Sequence, residues 1–458
     1  MPYGESINPN IFREYDIRGL VGDDLDDVVF LNIGKAYGTY LRRLGVRSTV
    51  VAHDNRMSSS AFSEALSKGI ISTGVDVFAI GQAPTPVMNY AVVRLGFPAG
   101  IVVTASHNPV DYNGCKLRTA SQILYGNHIR HIRDLIESRQ FEHGRGTVES
   151  LDVVSRYIDE VANLIHFHRP LKVVVDAGNG STGPIIPDVL SRCGVDVIPL
   201  FCESDGRFPN HLPDPTVAEN MIDLGTLVRN EGADLGIGLD GDGDRVGAVD
   251  EQGRMVYGDR LLALFARKVL RQRPGPVVFD VKCSLALIEE IERLGGTPVI
   301  WKTGYPLIWS KMIEENAHLG GEMSGHMYFA DEYFGYDDGM YAALRILDAV
   351  AGEGESFSSI MSSIPSYPGT PELRLKCTDE DKFRIVDEIK SRFLSGYDVI
   401  TVDGVRVQYE DGWALVRASN TQPIIVTRFE ARDDERLERI IDEFRTILSS
   451  YPEIQDLP

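Results

Sequence analysis

The sequence predicts an α/β protein: three similar mixed α/β domains built on β-loop-α-β repeats, then a C-terminal α+β domain, set around a central cleft. Three observations predict it. One β-loop-α-β pattern occurs three times. Each copy ends in a short strand that runs into an unusual polar loop. From Thr370 onward the order of strands and helices changes.

The first copy opens at Thr49–His53 (TVVAH), an apolar, β-branched run. It continues through the polar loop DNRMSS and the helix-like stretch AFSEALSKGIISTG to the strand VDVFAIG. That order is the doubly wound signature. The second copy reads KVVVD (Lys172–Asp176), AGNGSTG, PIIPDVLSRCG and VDVIPLF. The third starts at Val277–Asp280 and reads VKCS, LALIEEIERLGG and TPVIW. The copies end in AGIVVTASHNP (99–109), ADLGIGLDGDGDR (233–245) and AHLGGEMSGH (317–326). Ligands of open α/β sheets bind beyond the carboxyl ends of the strands, so the three polar loops are expected to face one cleft. The C-terminal part reads strand, helix (EDKFRIVDEIKSRF), several strands, helix (DERLERIIDEFRTIL), and the proline-rich SSIPSYPGTP reads as the linker before it. The expected domains are 1–148, 149–252, 253–367 and 368–458. The second boundary is set only by where the third repeat begins.

A chain of 458 residues suits this division, at roughly 100–200 residues per domain. With 43% hydrophobic and 25% charged residues it is neither disordered nor fibrous. The net charge of −21 repels nucleic acids and anionic membranes, so neither is an expected partner. A phosphate-binding function would need a local basic pocket set against that field. The five cysteines are scattered and lack CxxC spacing, which supports neither a zinc site nor a disulfide framework. The N-terminus carries no signal pattern, and no apolar run approaches the ~20 residues of a membrane span. A cytoplasmic location is expected.

In LDGDGDR, Asp240, Asp242 and Asp244 alternate with glycines that let the backbone curl and aim all three carboxylates at one point. Clustered anions need a cation, and oxygen-only ligands suit magnesium or calcium. A solvated acidic turn is one alternative. An EF-hand is another, because Glu251 falls twelfth from Asp240. It conflicts with Arg245 at the position that requires glycine and with flanks that read as strands. Arg245, next to the carboxylates, suits bidentate binding of a phosphate. Ser106, in TASHNP, sits on a turn at a strand end. An ordinary polar turn is the competing reading, and no GxSxG elbow supports a hydrolase triad. A metal facing Ser106 would let its oxygen carry or accept a phosphoryl group.

Taken in order, TASHNP, GLDGDGDR, GEMSGH and RASNTQP, with FREYDIRG near the start, resemble the α-D-phosphohexomutase superfamily over essentially the whole chain. Its bacterial phosphomannomutase/phosphoglucomutase group is the nearest match. The resemblance implies a Ser106 that is phosphorylated in the resting enzyme and one Mg²⁺ per chain on Asp240, Asp242, Asp244 and a phosphoserine oxygen. It also implies a hexose 1,6-bisphosphate that serves as intermediate and activator. Arg18 (in the YDIRG loop), His107, Lys116 and His326 are implied catalytic groups, with Lys116 a candidate proton donor or acceptor for the sugar hydroxyl. Without the resemblance, Lys116 would read as a surface lysine.

The implied substrate-binding residues are Tyr15, Arg245, Lys282, Tyr305, Glu322, Ser324, His326, Arg417, Ser419, Asn420 and Thr421. Glu322 and Ser324 would grasp the sugar's 3- and 4-hydroxyls, which glucose and mannose share. GEMSGH argues against phosphoglucosamine mutases, whose loop resembles Ser-Ser-Gly-His. Arg417, Ser419, Asn420 and Thr421 would hold the non-reacting phosphate. One departure stands out: Tyr305-Pro306 follow WKTG where close relatives carry His-Ser, which is expected to alter affinity rather than abolish activity. The expected partners are small hexose phosphates, and the chain is expected to be a monomer or dimer. A phosphatase with a phosphoserine intermediate would need further His-rich metal sites, and none is visible. A non-catalytic sugar-phosphate binder would have lost Ser106 or an aspartate.

Overall fold

The computed structural model describes residues 7–420 and 422–455. Two compact units divide the chain: Met1–Leu261 with Ser324–Ile360, and Leu262–Met323 with Met361–Pro458.

The first unit holds two mixed sheets. In the first, the strands run in the order Ile17–Leu20, Tyr112–Thr119, Ala99–Val103, Ser48–His53, Asp76–Gln82 and Val148–Ser150. The last four are mutually parallel, whereas Tyr112–Thr119 and Ile17–Leu20 each run antiparallel to their neighbour. Ala99–Val103 is buried along its whole length. This explains its unbroken apolar run, because a sheet covered on both faces has no solvent side to alternate with.

Helix Asp27–Arg43 is capped by Asp26, whose Oδ1 accepts from Val29 N at 2.8 Å. It buries Phe30, Ile33, Tyr37 and Leu41, the three-and-four spacing of one helical face. It meets helix Ser59–Ile71 backbone to backbone. A Cβ on Gly34 would lie 2.1 Å from Leu66 O, and one on Gly69 would lie 2.2 Å from Leu31 O. Gly34→Ala is therefore expected to destabilise by about 1–3 kcal/mol through overpacking. The check is a lower denaturant midpoint at unchanged m-value.

The YDIRG segment corrects the sequence reading. Tyr15 and Asp16 form a bend, but Ile17, Arg18 and Gly19 belong to the edge strand Ile17–Leu20, paired in the register Ile17↔Cys115 and Arg18↔Gly114. Burial of Ile17 and a close approach at Gly114, where a Cβ would lie 2.0 Å from Ile17 O, hold this part of the string in the sheet.

The second sheet runs Met255–Val256, Val246–Asp250, Leu235–Leu239, Lys172–Asp176, Asp196–Leu200. Leu239 pairs with Val246 across an antiparallel hairpin, so residues 240–245 form its connecting loop. Strands on both flanks rule out the EF-hand. The TASHNP loop is its counterpart between Ala99–Val103 and the antiparallel Tyr112–Thr119. The same unit contains strand Met327–Phe329 and the buried helix Gly339–Glu353, capped by Asp338 through the backbone N–H groups of Met340 and Tyr341.

In the second unit, Thr297–Trp301, Pro276–Asp280 and Leu319–Gly321 are parallel neighbours in that order. A separate antiparallel sheet runs Leu373–Lys376, Ile424–Ala431, Gly412–Ala418, Val405–Tyr409, Asp398–Ile400. Helices Asp381–Phe393 and Asp434–Leu448 bury Ile385, Ile389, Ile440 and Phe444 against it. Phe393 stacks on Phe444 with ring centroids 5.3 Å apart. This is the α+β domain expected from the switch in pattern after the third repeat.

Candidate active site

Ser106 stands at the end of the buried strand Ala99–Val103 with φ of 51°. Left-handed backbone at a non-glycine residue costs on the order of 1–3 kcal/mol and persists only where neighbours hold it. Here they do. Thr104 Oγ1 accepts from Ser106 N at 2.9 Å. The buried guanidinium of Arg56 donates to the carbonyls of Ser106, Asn108, Pro109 and Tyr112 at 2.6–2.9 Å. Arg18 Nη1 adds a bond to Asn108 Oδ1 at 2.5 Å, and its Nη2 pairs with Asp16. Tyr15, two residues before strand Ile17–Leu20, is buried.

The acidic loop meets the serine loop directly. A Cβ on Gly241 would lie 2.5 Å from Ser106 O, so only glycine permits the approach. Ser106 Oγ donates to Asp240 Oδ2 at 2.6 Å, and His107 Nδ1 lies 3.0 Å from the same Oγ. Lys116 Nζ donates to Asp242 Oδ2 at 2.7 Å and to Asp244 Oδ2 at 2.5 Å. It is a buried lysine, not a surface one. Thr85 fixes Asp242 twice: its Oγ1 donates to Oδ2 at 2.6 Å and its backbone N–H to the carbonyl at 2.8 Å. Arg245 Nε lies 3.0 Å from His326 Nε2.

Three carboxylates with 0% exposure are costly to keep charged. Burial and repulsion from Asp242 and Asp244 push the Asp240 carboxyl well above the usual range, and burial and Asp242 raise Asp244. Burial works the same way on Asp242, but the Lys116 ammonium outweighs it and holds that carboxyl below its ordinary value. Burial and Arg245 lower His107 well below its usual value, so its imidazole is neutral. Asp242 Oδ1 and Asp244 Oδ1 are buried without a hydrogen-bond partner among the described residues. The three aspartates each offer an oxygen within 4.8 Å of the others. Orphaned buried oxygens converging from a hard-ligand set are what a divalent cation would satisfy.

A second polar group lies within the other unit. Lys282 Nζ is 3.1 Å from Glu372 Oε2 and 3.4 Å from Asp280 Oδ2. Burial opposes its charge, but Glu372, Asp280 and Glu322 raise its pKa nonetheless. Burial likewise opposes the charge on Glu372, yet Lys282 brings that carboxyl down to about 2. Glu322 Oε1 accepts from Gly304 N at 2.7 Å, the cap position of helix Tyr305–Glu315, which Tyr305 begins. Arg417 lies on strand Gly412–Ala418 rather than in the following loop, with Nε bonded to Asp403 Oδ2 at 2.8 Å. Ser419 Oγ accepts from Gln422 N at 3.1 Å, closing the turn that contains Asn420. Thr421 lies outside the described residues. The GEMSGH motif is split, with Glu322 in the second unit and Ser324 and His326 in the first.

Sequence reasoning missed Arg56, Thr85 and Asp337. Asp337 Oδ2 lies 2.9 Å from His326 Nδ1. The only local signals were the charged DNR after a strand and the paired acids in YDDG.

A serine oxygen set against clustered carboxylates and beside cationic side chains, at the strand ends of doubly wound domains, suits an enzyme that moves phosphoryl groups with a metal's help. The comparisons agree. Four family models cover the chain: phosphoglucomutase/phosphomannomutase α/β/α domain I at residues 9–143, domain II at 155–253, domain III at 257–367, and the C-terminal domain at 372–447. A phosphomannomutase/phosphoglucomutase of Pseudomonas aeruginosa is 44% identical over 451 residues, covering 98% of this chain and 97% of that one. A phosphoglucomutase of Neisseria gonorrhoeae is 37% identical over 455 residues, covering 98% and 99%. The crystal structure of a phosphoglucomutase/phosphomannomutase family protein from Burkholderia thailandensis superposes with a TM-score of 0.91 at 40% identity, covering 97% and 98%. The chain belongs to the phosphoglucomutase/phosphomannomutase family.

Proposed function

We propose that this enzyme interconverts hexose 1-phosphates and hexose 6-phosphates, those of mannose and of glucose, with Ser106 as the phosphoryl carrier and a hexose 1,6-bisphosphate as intermediate and activator. The observation that carries the assignment of Ser106 is its 2.6 Å hydrogen bond to Asp240 inside the buried carboxylate cluster. In the first transfer the Oγ–P bond of phosphorylated Ser106 breaks as phosphorus bonds to the free hydroxyl oxygen of the hexose monophosphate. The hydroxyl proton leaves to a base, for which Lys116 is the candidate once its ammonium, held here between Asp242 and Asp244, has given up a proton. The bisphosphate turns over. Its other phosphoryl group then returns to Ser106, and the released sugar oxygen regains a proton.

Asp240, Asp242, Asp244 and an oxygen of phosphorylated Ser106 would hold one Mg²⁺, which supplies neutralisation of charge on the phosphoryl oxygens. Arg18, Arg245, His107 and His326 orient the transferring group. Glu322 and Ser324 read the 3- and 4-hydroxyls, which do not distinguish mannose from glucose. Arg417, Ser419, Asn420 and Thr421 hold the other phosphate, with Tyr15, Lys282 and Tyr305 as further sugar-phosphate contacts. The substrates are small hexose phosphates, and no described helix is long and apolar enough to cross a membrane.

The test is a coupled assay with α-D-mannose 1-phosphate and α-D-glucose 1-phosphate, with and without bisphosphate activator. Turnover of both is expected. No turnover of any hexose 1-phosphate by phosphorylated, Mg²⁺-loaded enzyme would overturn the proposal.

A pH dependence follows from the raised Asp240. Below its elevated pKa the metal-free cluster holds a proton that a cation must displace, so Mg²⁺ affinity is expected to rise with pH. Calorimetric titration in two buffers of different ionisation enthalpy should detect the proton released. Linkage gives the same sign for stability. In metal-free protein the Asp240 contribution is present at low pH and is lost as pH rises through the raised folded-state pKa. The stabilisation conferred by Mg²⁺ therefore grows over that range.

A further inference from the structure

We infer that Asp337 is a positioning residue for phosphoryl transfer: it fixes the ring of His326, and through it the guanidinium of Arg245, so that a connected polar chain runs from Asp337 to Ser106. The inference rests on the mutase reading above.

The chain is read from donor chemistry. Arg245 lies between two imidazoles, with Nε 3.0 Å from His326 Nε2 and Nη1 3.5 Å from His107 Nε2. A guanidinium only donates, so each facing Nε2 is the acceptor and each ring carries its proton on Nδ1. His107 Nδ1 lies 3.0 Å from Ser106 Oγ. His326 Nδ1 lies 2.9 Å from Asp337 Oδ2, a close charge contact that is not aligned as a hydrogen bond, with Asp244 Oδ1 farther away at 3.7 Å. A carboxylate accepts and does not donate, so Asp337 favours the ring form in which Nε2 is free to receive Arg245.

Asp337 is itself held. It is buried and bridges to Tyr328. The adjacent Asp338 caps helix Gly339–Glu353 and accepts from Tyr333 Oη at 2.6 Å and Tyr157 Oη at 2.9 Å. Next along, Gly339 N donates to Gly243 O at 3.0 Å, and a Cβ there would lie 2.6 Å from Arg245 O. The Asp-Asp-Gly run thus docks on the acidic loop, and Asp337 reaches the histidine from a fixed base.

Asp337→Asn replaces a pure acceptor with a group that also donates. Its amide still offers an oxygen but no charge, so the Nδ1–H form is favoured less and the other ring form, whose Nε2–H faces the Arg245 donor and turns the guanidinium aside, gains population. The expected result is a fall in kcat of about 10- to 100-fold at a nearly unchanged KM. In the His326→Gln background, Asp337→Asn is expected to cost nothing more. Asp338→Ala, which breaks the neighbouring cap without touching His326, should lower the unfolding midpoint and spare kcat. ¹⁵N NMR of substrate-free protein reads the ring form directly: His326 protonated on Nδ1 in wild type and in Asp337→Glu, and shifted toward Nε2 in Asp337→Asn.

Equal kinetic losses in both backgrounds, or an Nε2-protonated His326 in the wild type, would overturn the inference and leave the mutase reading intact. An inactive wild type with the expected ring form would do the reverse. If Asp337→Asn does not fold, the Asp337→Glu and wild-type spectra still decide it.

Discussion

Ser106→Ala is expected to abolish hexose phosphate interconversion, by on the order of 10³-fold or more, because the transferred group loses its carrier rather than a helper. Substrate still has its other contacts, so binding should survive, with the loss falling in kcat. The folded protein should survive as well. The Ser106 backbone is held by Thr104 and by the Arg56 bond to its carbonyl, neither of which uses Oγ. The substitution removes the donor to Asp240 but leaves Lys116 between Asp242 and Asp244. Mass spectrometry should find no phosphorylated residue in this loop, and an unfolding curve should show a native-like midpoint. Full activity in Ser106→Ala would remove the carrier assignment.

Arg56→Ala is expected to have the largest effect on stability, about 3–5 kcal/mol. One guanidinium serves four carbonyls of the serine loop, lies 3.4 Å from Asp54 and stacks over Phe208 at 5.1 Å. Its removal strands buried carbonyls and leaves Asp54 without its charge partner. Catalysis should fall too. The loop that holds Ser106 at positive φ loses its clamp, and a misplacement of about 1 Å can cost about 10²-fold. Arg56→Lys should recover little of either, because a single ammonium cannot reproduce a planar fork. Denaturant unfolding and kcat measured on the same preparation check both parts.

Ser106 and the three aspartates were legible in the sequence because each belongs to a short string whose own chemistry is unusual: a serine before Asn-Pro, and carboxylates alternating with glycine. The triple repeat was legible because buried parallel strands read as continuous apolar runs. Arg56 and Thr85 were not. Each acts on a loop far along the chain, and DNR or APTP has no local pattern that reports a distant partner. The YDIRG strand was misread for a related reason: pairing with Tyr112–Thr119, not local propensity, makes it a strand. Lys116 needed the fold to move it from a surface reading to the carboxylate cluster. Asp337 looked like half of an ordinary acidic pair until its histidine was beside it.

The return of Ser324–Ile360 to the first unit has a consequence for how the enzyme is made. As the chain emerges from the ribosome, both hairpin loops are available long before His326, Asp337 and the buried helix Gly339–Glu353 that backs the acidic loop. Until that segment is synthesised, the newborn first unit exposes an apolar face and lacks the His326 contact of Arg245. Domains tend to fold as units during synthesis, but this one must wait while most of the second unit's α/β repeat is translated. The nascent protein is then most in need of chaperones, and the catalytic apparatus is completed late rather than in chain order.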